Sequence, residues 1–327
     1  MTSAVPRGAE LIVDTDIYGV NDDAFALHYL LAKQHVPSMI TTCSGNTLAS
    51  DSLDDVRLLL TSYGIEAETR AGPDCPRGWT SAIHEYHRTL RKELGDSAYL
   101  GELGSPRTHS VPADDGRING RATGQTTDRT IGYAIAAPLV DYLALGPLGN
   151  LRDALASKAL PATRIRHLVF SGGAFGVPGN VGPFAEFNVL ADPLAAADVF
   201  AAPLARVTVV PLDVTTELTY GLPQYRRIAS GTGPYSQDLA RTKGATFETQ
   251  PDFREPLWDL VVAMVMTNPE IVTRSVRGEV SIDTSPTASL GATTLRRSED
   301  GHVTVVLGVD TDRVLHEWAR TFEGVEQ

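Results

Sequence analysis

The sequence predicts an α/β fold: a mostly parallel open sheet flanked by helices, with additional antiparallel strands near the C-terminus. Two observations predict the body of it. Short apolar, β-branched runs alternate with segments of helical length, the pattern of strands joined by crossover helices. Polar and acidic residues gather where those apolar runs end. A third observation predicts the C-terminal part, where the strand-like runs 276–282 and 302–309 are separated by turn-rich segments and read as an antiparallel edge.

The first strand is placed at 11–15 and runs straight into acidic residues. The following helix, at 23–32, repeats apolar residues at three- and four-residue spacing, with Asn21 or Asp22 placed to cap it. Strands follow at 39–44, 68–71, 140–145, 167–171 and 207–212. Helices are placed at 53–63, 81–94, 150–157, 193–200, 256–266 and 312–322. Residues 95–128 are rich in Gly, Arg, Asp and Ser and show little periodicity. A loop that long inside a compact domain is usually functional, so it is read as a candidate lid. No repeat, low-complexity tract or linker divides the chain, and residues 1–327 are read as a single domain.

The formal charge of −12 argues against nucleic-acid polymers and anionic membrane as partners, and leaves a small molecule open. Only two cysteines occur, Cys43 and Cys75, too few for a disulfide scaffold. No basic-then-apolar leader precedes Leu11, and no run reaches membrane-spanning length. The expectation is a soluble cytoplasmic protein.

Asp14, Asp16, Asp22 and Asp23 crowd around a single turn after the first strand. That much like charge is costly unless a cation sits among it, and carboxylate oxygens are the preferred ligands of Ca²⁺. Taken alone, Asp22-Asp23 reads more readily as the acidic first turn of a helix than as a metal site. The other strand ends add Ser44-Gly45-Asn46, Leu145-Gly146-Pro147, Ser171-Gly172-Gly173 and Leu212-Asp213-Val214-Thr215. In parallel α/β sheets, ligands bind outside the carboxyl ends of the strands, so the site is expected there. Glu186 and Asn188, two apart, would point the same way in an extended segment and hold vicinal hydroxyls of a sugar, with Asn180 nearby.

These residues resemble, in order and spacing, the nucleoside hydrolases of the inosine–uridine-preferring superfamily. The resemblance runs from Asp14-Thr15-Asp16 and Asp22-Asp23 through Ala185-Glu186-Phe187-Asn188 to Asp259. It implies a Rossmann-like nucleoside hydrolase fold and a homo-oligomer, dimer or tetramer. It implies Ca²⁺ held by Asp16, Asp23, the backbone carbonyl of Leu145 and Asp259, with Asp16 also the general base. Asp22, Asn46, Asn180, Glu186 and Asn188 would hold the ribose, and Asp14 would support the loop from behind. The implied reaction is hydrolysis of an N-glycosidic bond through an oxocarbenium-like state, by direct attack of an activated water with inversion.

Two departures matter. The aspartate pairs are separated by residues 17–21, a longer gap than in the best-known members, though a related subgroup shares it. Trp258-Asp259 stands where many members have His-Asp, and that His is thought to protonate the leaving base. The Trp-Asp pair is similar to the purine-specific members, in which tryptophans sandwich the base; Trp79 is the candidate second tryptophan. A purine ribonucleoside is therefore the expected substrate. Two alternatives stay open. One is a divergent relative acting on a modified nucleoside, sugar nucleotide or sugar as hydrolase, isomerase or mutase. The other is a non-catalytic ribose binder.

Overall fold

The structure, a computed structural model, describes residues 9–74, 131–133, 136–181 and 183–323. Trp79, Cys75, the helix expected at 81–94 and the candidate lid at 95–128 lie outside the described residues. Among the described residues the strands are β1 (Ala9–Thr15), β2 (Met39–Thr42), β3 (Glu68–Ala71), β4 (Leu139–Ala144), β5 (Ile165–Ser171), β6 (Val207–Val210), β7 (Thr219–Tyr220), β8 (Glu255–Pro256), β9 (Val272–Ile282), β10 (Thr293–Arg297) and β11 (Val303–Val309). The helices are α1 (Asp22–Ala32), α2 (Ala49–Ser62), α3 (Gly149–Ser157), α4 (Phe187–Ala191), α5 (Pro193–Ala201), α6 (Leu212–Thr215), α7 (Leu222–Ala229), α8 (Pro234–Thr249), α9 (Trp258–Thr267) and α10 (Thr311–Phe322).

One sheet carries the strands in the order β10-β9-β11-β6-β5-β4-β1-β2-β3. From β3 across to β11 every pairing is parallel. β9 runs antiparallel to both β11 and β10. The antiparallel pairing expected of the last strands is present, but β11 is no edge: it docks parallel to β6 inside the sheet. The edge is β10, whose short TTLRR run is mostly exposed and lacks the apolar run that marks the other strands.

The order around β1 positions the site. β1 pairs with β2 on one side and β4 on the other, so the chain winds outward in both directions from that point. The strand order reverses between β1 and β4, and in open α/β sheets the crevice at the carboxyl ends of two such strands is where ligands bind. Alternation along β1 sends Leu11 and Val13 into the apolar layer that holds α1 and α9, and Ile12 into the layer that holds α3 and α5. Both faces are covered, which is why the run Leu11-Ile12-Val13 is apolar without interruption. α1 is buried on every side from Asp23 to Leu31, pressed between the sheet and α9. Its N-cap is Asn21, whose side chain accepts from Ala24 N–H at 3.4 Å.

α7 and α8 were not legible in sequence. α8 buries Tyr235, Leu239, Thr242, Lys243 and Phe247, a helical stripe in which a threonine and a lysine interrupt the apolar pattern. Lys243 is tolerated there because Glu255 pairs with its ammonium and also accepts from Tyr220 Oη at 2.5 Å.

Candidate active site

The alternation of β1 continues into its acidic end. Asp14 has the parity of Ile12 and turns toward α3, where its Oδ1 accepts from Asn150 Nδ2 at 2.8 Å and from Thr41 Oγ1 at 2.6 Å. Thr15 has the parity of Val13 and turns toward α1, where its hydroxyl donates to Asp23 Oδ1. The other oxygen of Asp23 accepts from Asn21 Nδ2 at 2.8 Å. Asp14 thus ties β1 to β2 and α3 behind the cleft, while Asp23 enters the cleft from the first turn of α1.

Asp16 leaves the strand end between two glycines. Its Oδ2 accepts from Asn46 N–H at 2.7 Å. A Cβ on Gly45 would lie 2.0 Å from that oxygen, and one on Gly146 would lie 2.7 Å from Oδ1. The loops after β2 and β4 therefore carry glycine so that backbone can close on the carboxylate. Gly45→Ala is expected to move Asp16 and lower kcat at least tenfold with the far-UV circular dichroism unchanged. An alanine variant with wild-type kcat would show that this packing does not set the reaction.

Glu186 and Asn188 converge by a different route from the one expected. They do not alternate along an extended segment. Glu186 is the N-cap of α4, its carboxylate accepting from Asn188 N–H at 2.9 Å and Val189 N–H at 3.1 Å. The same carboxylate accepts from Gly173 N–H at 3.1 Å, so it also pins the loop after β5. Asn188 sits in the first turn, and its Nδ2 donates to Leu145 O at 2.6 Å and Ser171 O at 3.0 Å. Asn180, more exposed, accepts from Phe187 N–H at 2.9 Å.

A cleft of about 150 Å³ gathers Asp16, Asp22, Asp23, Asn46, Leu145, Asn180, Glu186, Asn188, Trp258 and Asp259, every pocket residue named from sequence except Trp79, which lies outside the described residues. That volume holds roughly ten water molecules, a space for a small polar ligand. The structure adds Tyr18 and Val210 to the lining, and brings in Ser171, Gly172, Phe187, Leu212 and Thr215 from motifs in which sequence reasoning gave them no individual role. Ser171 closes β5, and Leu212 opens α6 two residues beyond the end of β6, at the same edge of the sheet. Ser171 Oγ donates to Asp259 Oδ1 at 2.6 Å. Asp213, in the same motif as Leu212, turns away to accept from Phe175 N–H at 2.9 Å and Gly176 N–H at 2.6 Å.

Trp258 opens α9 and is half-buried. Its Nε1 is fully buried with no hydrogen-bond partner among the described residues. Trp258 therefore borders the cleft without exposing this N–H to solvent.

The electrostatics are those of buried acids that repel one another. Burial pushes Asp14 and Glu186 up to about 7, and burial with the Asp23 charge pushes Asp22 to about 7. Burial, then the charge of Asp23, holds Asp16 well above the usual range; burial, then the charge of Asp22, does the same to Asp259. No lysine or arginine stands among the described lining residues. Oxygens of Asp22, Asp23 and Asp259 all lie within 4.8 Å of one another. Asp16 borders this triad, and the Leu145 carbonyl keeps a second lone pair beyond the one Asn188 engages. All of these donors are hard oxygens, with no His or Cys among the described lining residues, so the set fits a hard divalent cation.

Residues 11–316 match the family described as inosine-uridine preferring nucleoside hydrolase. The chain belongs to this family. A curated relative, a probable uridine nucleosidase 1 of Oryza sativa subsp. japonica, is 29% identical over 233 residues, covering 70% of this chain and 66% of the relative. The match thus spans just under two thirds of that relative's length. Among solved nucleoside hydrolases, a plant enzyme superposes with a TM-score of 0.71 at 21% identity, over 97% of this chain and 100% of that one. A purine-preferring ribonucleoside hydrolase from Gardnerella vaginalis gives 0.71 at 21% identity, over 96% and 98%. At that identity the superpositions establish the nucleoside hydrolase fold. Among the described residues no helix is long and apolar enough to cross a membrane.

Proposed function

We propose that this nucleoside hydrolase family member is a Ca²⁺-dependent N-ribohydrolase that cleaves a purine ribonucleoside to free base and ribose. The observation that carries the proposal is the acidic floor of the cleft: Asp16, Asp22, Asp23, Asp259 and Glu186 meet without a cationic side chain among the described lining residues. Such a floor takes a cation beside a sugar whose anomeric carbon becomes positive in the transition state. When bound, Ca²⁺ would supply positive charge that holds the carboxylates together and makes a water more acidic. Asp16, Asp23, Asp259 and the Leu145 carbonyl are its proposed ligands, with Asp22 close to the same point.

The remaining steps belong to the protein. Asp22, Asn46, Asn180, Glu186 and Asn188 orient the ribose hydroxyls. Asp16 takes the proton of the attacking water at Oδ1, the oxygen that the Asn46 amide does not engage. Water oxygen bonds to C1′ as the C1′–N bond breaks; its electron pair leaves with the base, which takes a proton from solvent. One base and one water on the face opposite the leaving group give inversion. Trp258 is an aromatic residue lining the cleft, of a type suited to stacking on a flat base, which supports the purine preference. The rice relative's description as a uridine nucleosidase supports a pyrimidine as the second reading.

A substrate panel followed by NMR tests both. Inosine is expected to outrun uridine at least tenfold in kcat/KM, with free base and the inverted ribose anomer formed first. Trp258→Ala is expected to narrow that ratio. Equal rates on the two substrates, or an unchanged ratio in the variant, would remove the purine assignment. A product with its glycosidic bond intact would move the reading to an isomerase or mutase, and saturable binding without turnover to a ribose binder.

A further inference from the structure

The cleft is graded from floor to rim. Asp16, Asp23, Asp259, Glu186 and Asn188 make a polar floor, each at most 8% exposed. The half-buried lining includes three aromatic rings: Tyr18, Phe187 and Trp258. A sugar with several hydroxyls matches the floor, and a flat heterocycle attached to it matches the rim.

Tyr18 stands out by how it is held. It is the only residue from Leu11 to Asn21 that is not buried. On one side Ile17 is wholly buried, and its N–H donates to Thr15 Oγ1 at 3.2 Å. On the other side Gly19 takes a φ of 58°, in the left-handed region that favours glycine. The Gly19 N–H donates to Asp55 Oδ2 at 2.8 Å, a carboxylate that α2 presents from its own buried face. Val20 packs into the core, and Asn21 is committed to the α1 cap and to Asp23. A loop anchored at every neighbour of one aromatic residue presents that ring without an ordering cost on binding.

We propose that Tyr18 is a specificity-determining residue whose ring packs on the leaving base at the rim, with Asp55 as its positioning residue. The assignment rests on the hydrolase reading above. The floor already supplies carboxylates and amides for the ribose, so the ring serves the other half of the substrate. Phe187 lies beside the amides that face the sugar, and Trp258 enters from the distant helix α9. Tyr18 alone among the three comes from the loop that also delivers Asp16 and Asp22.

The test measures kcat/KM on inosine and uridine and the inhibition constant of free ribose, on the full chain with Ca²⁺. Ribose carries the sugar and no leaving group, so it reports on the floor alone. Tyr18→Ala is expected to lower kcat/KM on inosine at least tenfold and to change the inosine-to-uridine ratio at least threefold, while ribose inhibits the variant and the wild type within threefold of each other. Tyr18→Phe keeps the ring and is expected within threefold of wild type on inosine. Asp55→Ala, which frees the loop, is expected to reproduce the selective loss on inosine in weaker form. Losses of Tyr18→Ala that are equal on inosine and uridine, or matched by an equal weakening of ribose inhibition, would assign Tyr18 to the sugar or to folding and overturn the proposal; so would no loss on either nucleoside. An active wild type with an unaltered Tyr18→Ala removes this assignment alone, whereas a wild type inactive on both nucleosides removes the hydrolase reading with it.

Discussion

Asp16→Asn is expected to lower kcat by about 10²–10⁴, the range general-base catalysis supplies, and to leave the protein folded. The amide keeps the shape of the carboxylate and an oxygen for the Asn46 N–H, but it takes no proton from water. At saturating Ca²⁺, kcat and kcat/KM should fall together, because the proton transfer that is lost belongs to the attack of water, while the loss of a carboxylate ligand shows separately as a higher Ca²⁺ requirement. Stability should move the other way. Burial and the neighbouring Asp23 charge hold the Asp16 carboxyl well above its usual range, so keeping it ionised costs stability in the folded state. Without added cation at pH 8, Asp16→Asn is therefore expected to melt above wild type. Loss of activity with a higher Tm separates a catalytic role from a structural one. A kcat within threefold of wild type would mean that another group takes the proton.

Adding Ca²⁺ is expected to raise the Tm of the wild type strongly at pH 8 and weakly at pH 5.5. Asp14, Asp22 and Glu186 titrate near 7 in the folded chain, against 3.8 to 4.5 for ordinary carboxyls. A raised carboxyl stabilises the fold most where it is protonated in both states, and that contribution is lost as pH rises through the folded value. In the cation-free protein this loss falls between about pH 4 and pH 7, and the ionised cluster then repels itself. A divalent ion relieves the repulsion and competes with protons for the same oxygens, so its effect grows with pH. At a concentration a hundredfold above Kd the stabilisation is about 2.7 kcal/mol. For a chain of this length that is roughly 4 °C in Tm.

His28 runs against this trend. Burial lowers its titration below 6.5, and Asp238, 3.4 Å from its Nε2, titrates lower than usual. Their contributions are lost as pH falls, so the cation-free Tm should pass through a maximum. Subtracting melts with and without Ca²⁺ at each pH removes the His28 contribution. A shift that is flat from pH 5.5 to 8, or turnover unchanged by chelator, would remove the cation from the proposal.

Much of the fold was legible because it is local. The run Leu11-Ile12-Val13, the cap at Asn21 and the apolar helices each state their element within a few residues. The same alternation that buries Ile12 and Val13 on opposite faces dictates that Asp14 and Thr15 part company at the strand end. The acids of the first turn were therefore visible as a group of carboxylates seeking a common partner, and the family resemblance joined Asp259 to them. α8 was hidden, because tertiary pairing with Glu255 lets Lys243 occupy a core position that local pattern assigns to the surface.

What the chain by itself determined is the set of reactive groups and the sheet edge on which they gather. Tertiary structure alone decided which of them touch. Asn150 reaches Asp14 across 136 residues, Ser171 reaches Asp259 across 88, and Asp55 clamps Gly19 across 36. Glu186 and Asn188 meet through a helix cap that their spacing did not announce. The physical reason is that periodicity reports which face a residue occupies, whereas a hydrogen bond between distant segments depends on which strand ends the topology makes neighbours. Here the switch between β1 and β4 makes that choice, and it brings the acids, the amides and the aromatic rim to one cleft.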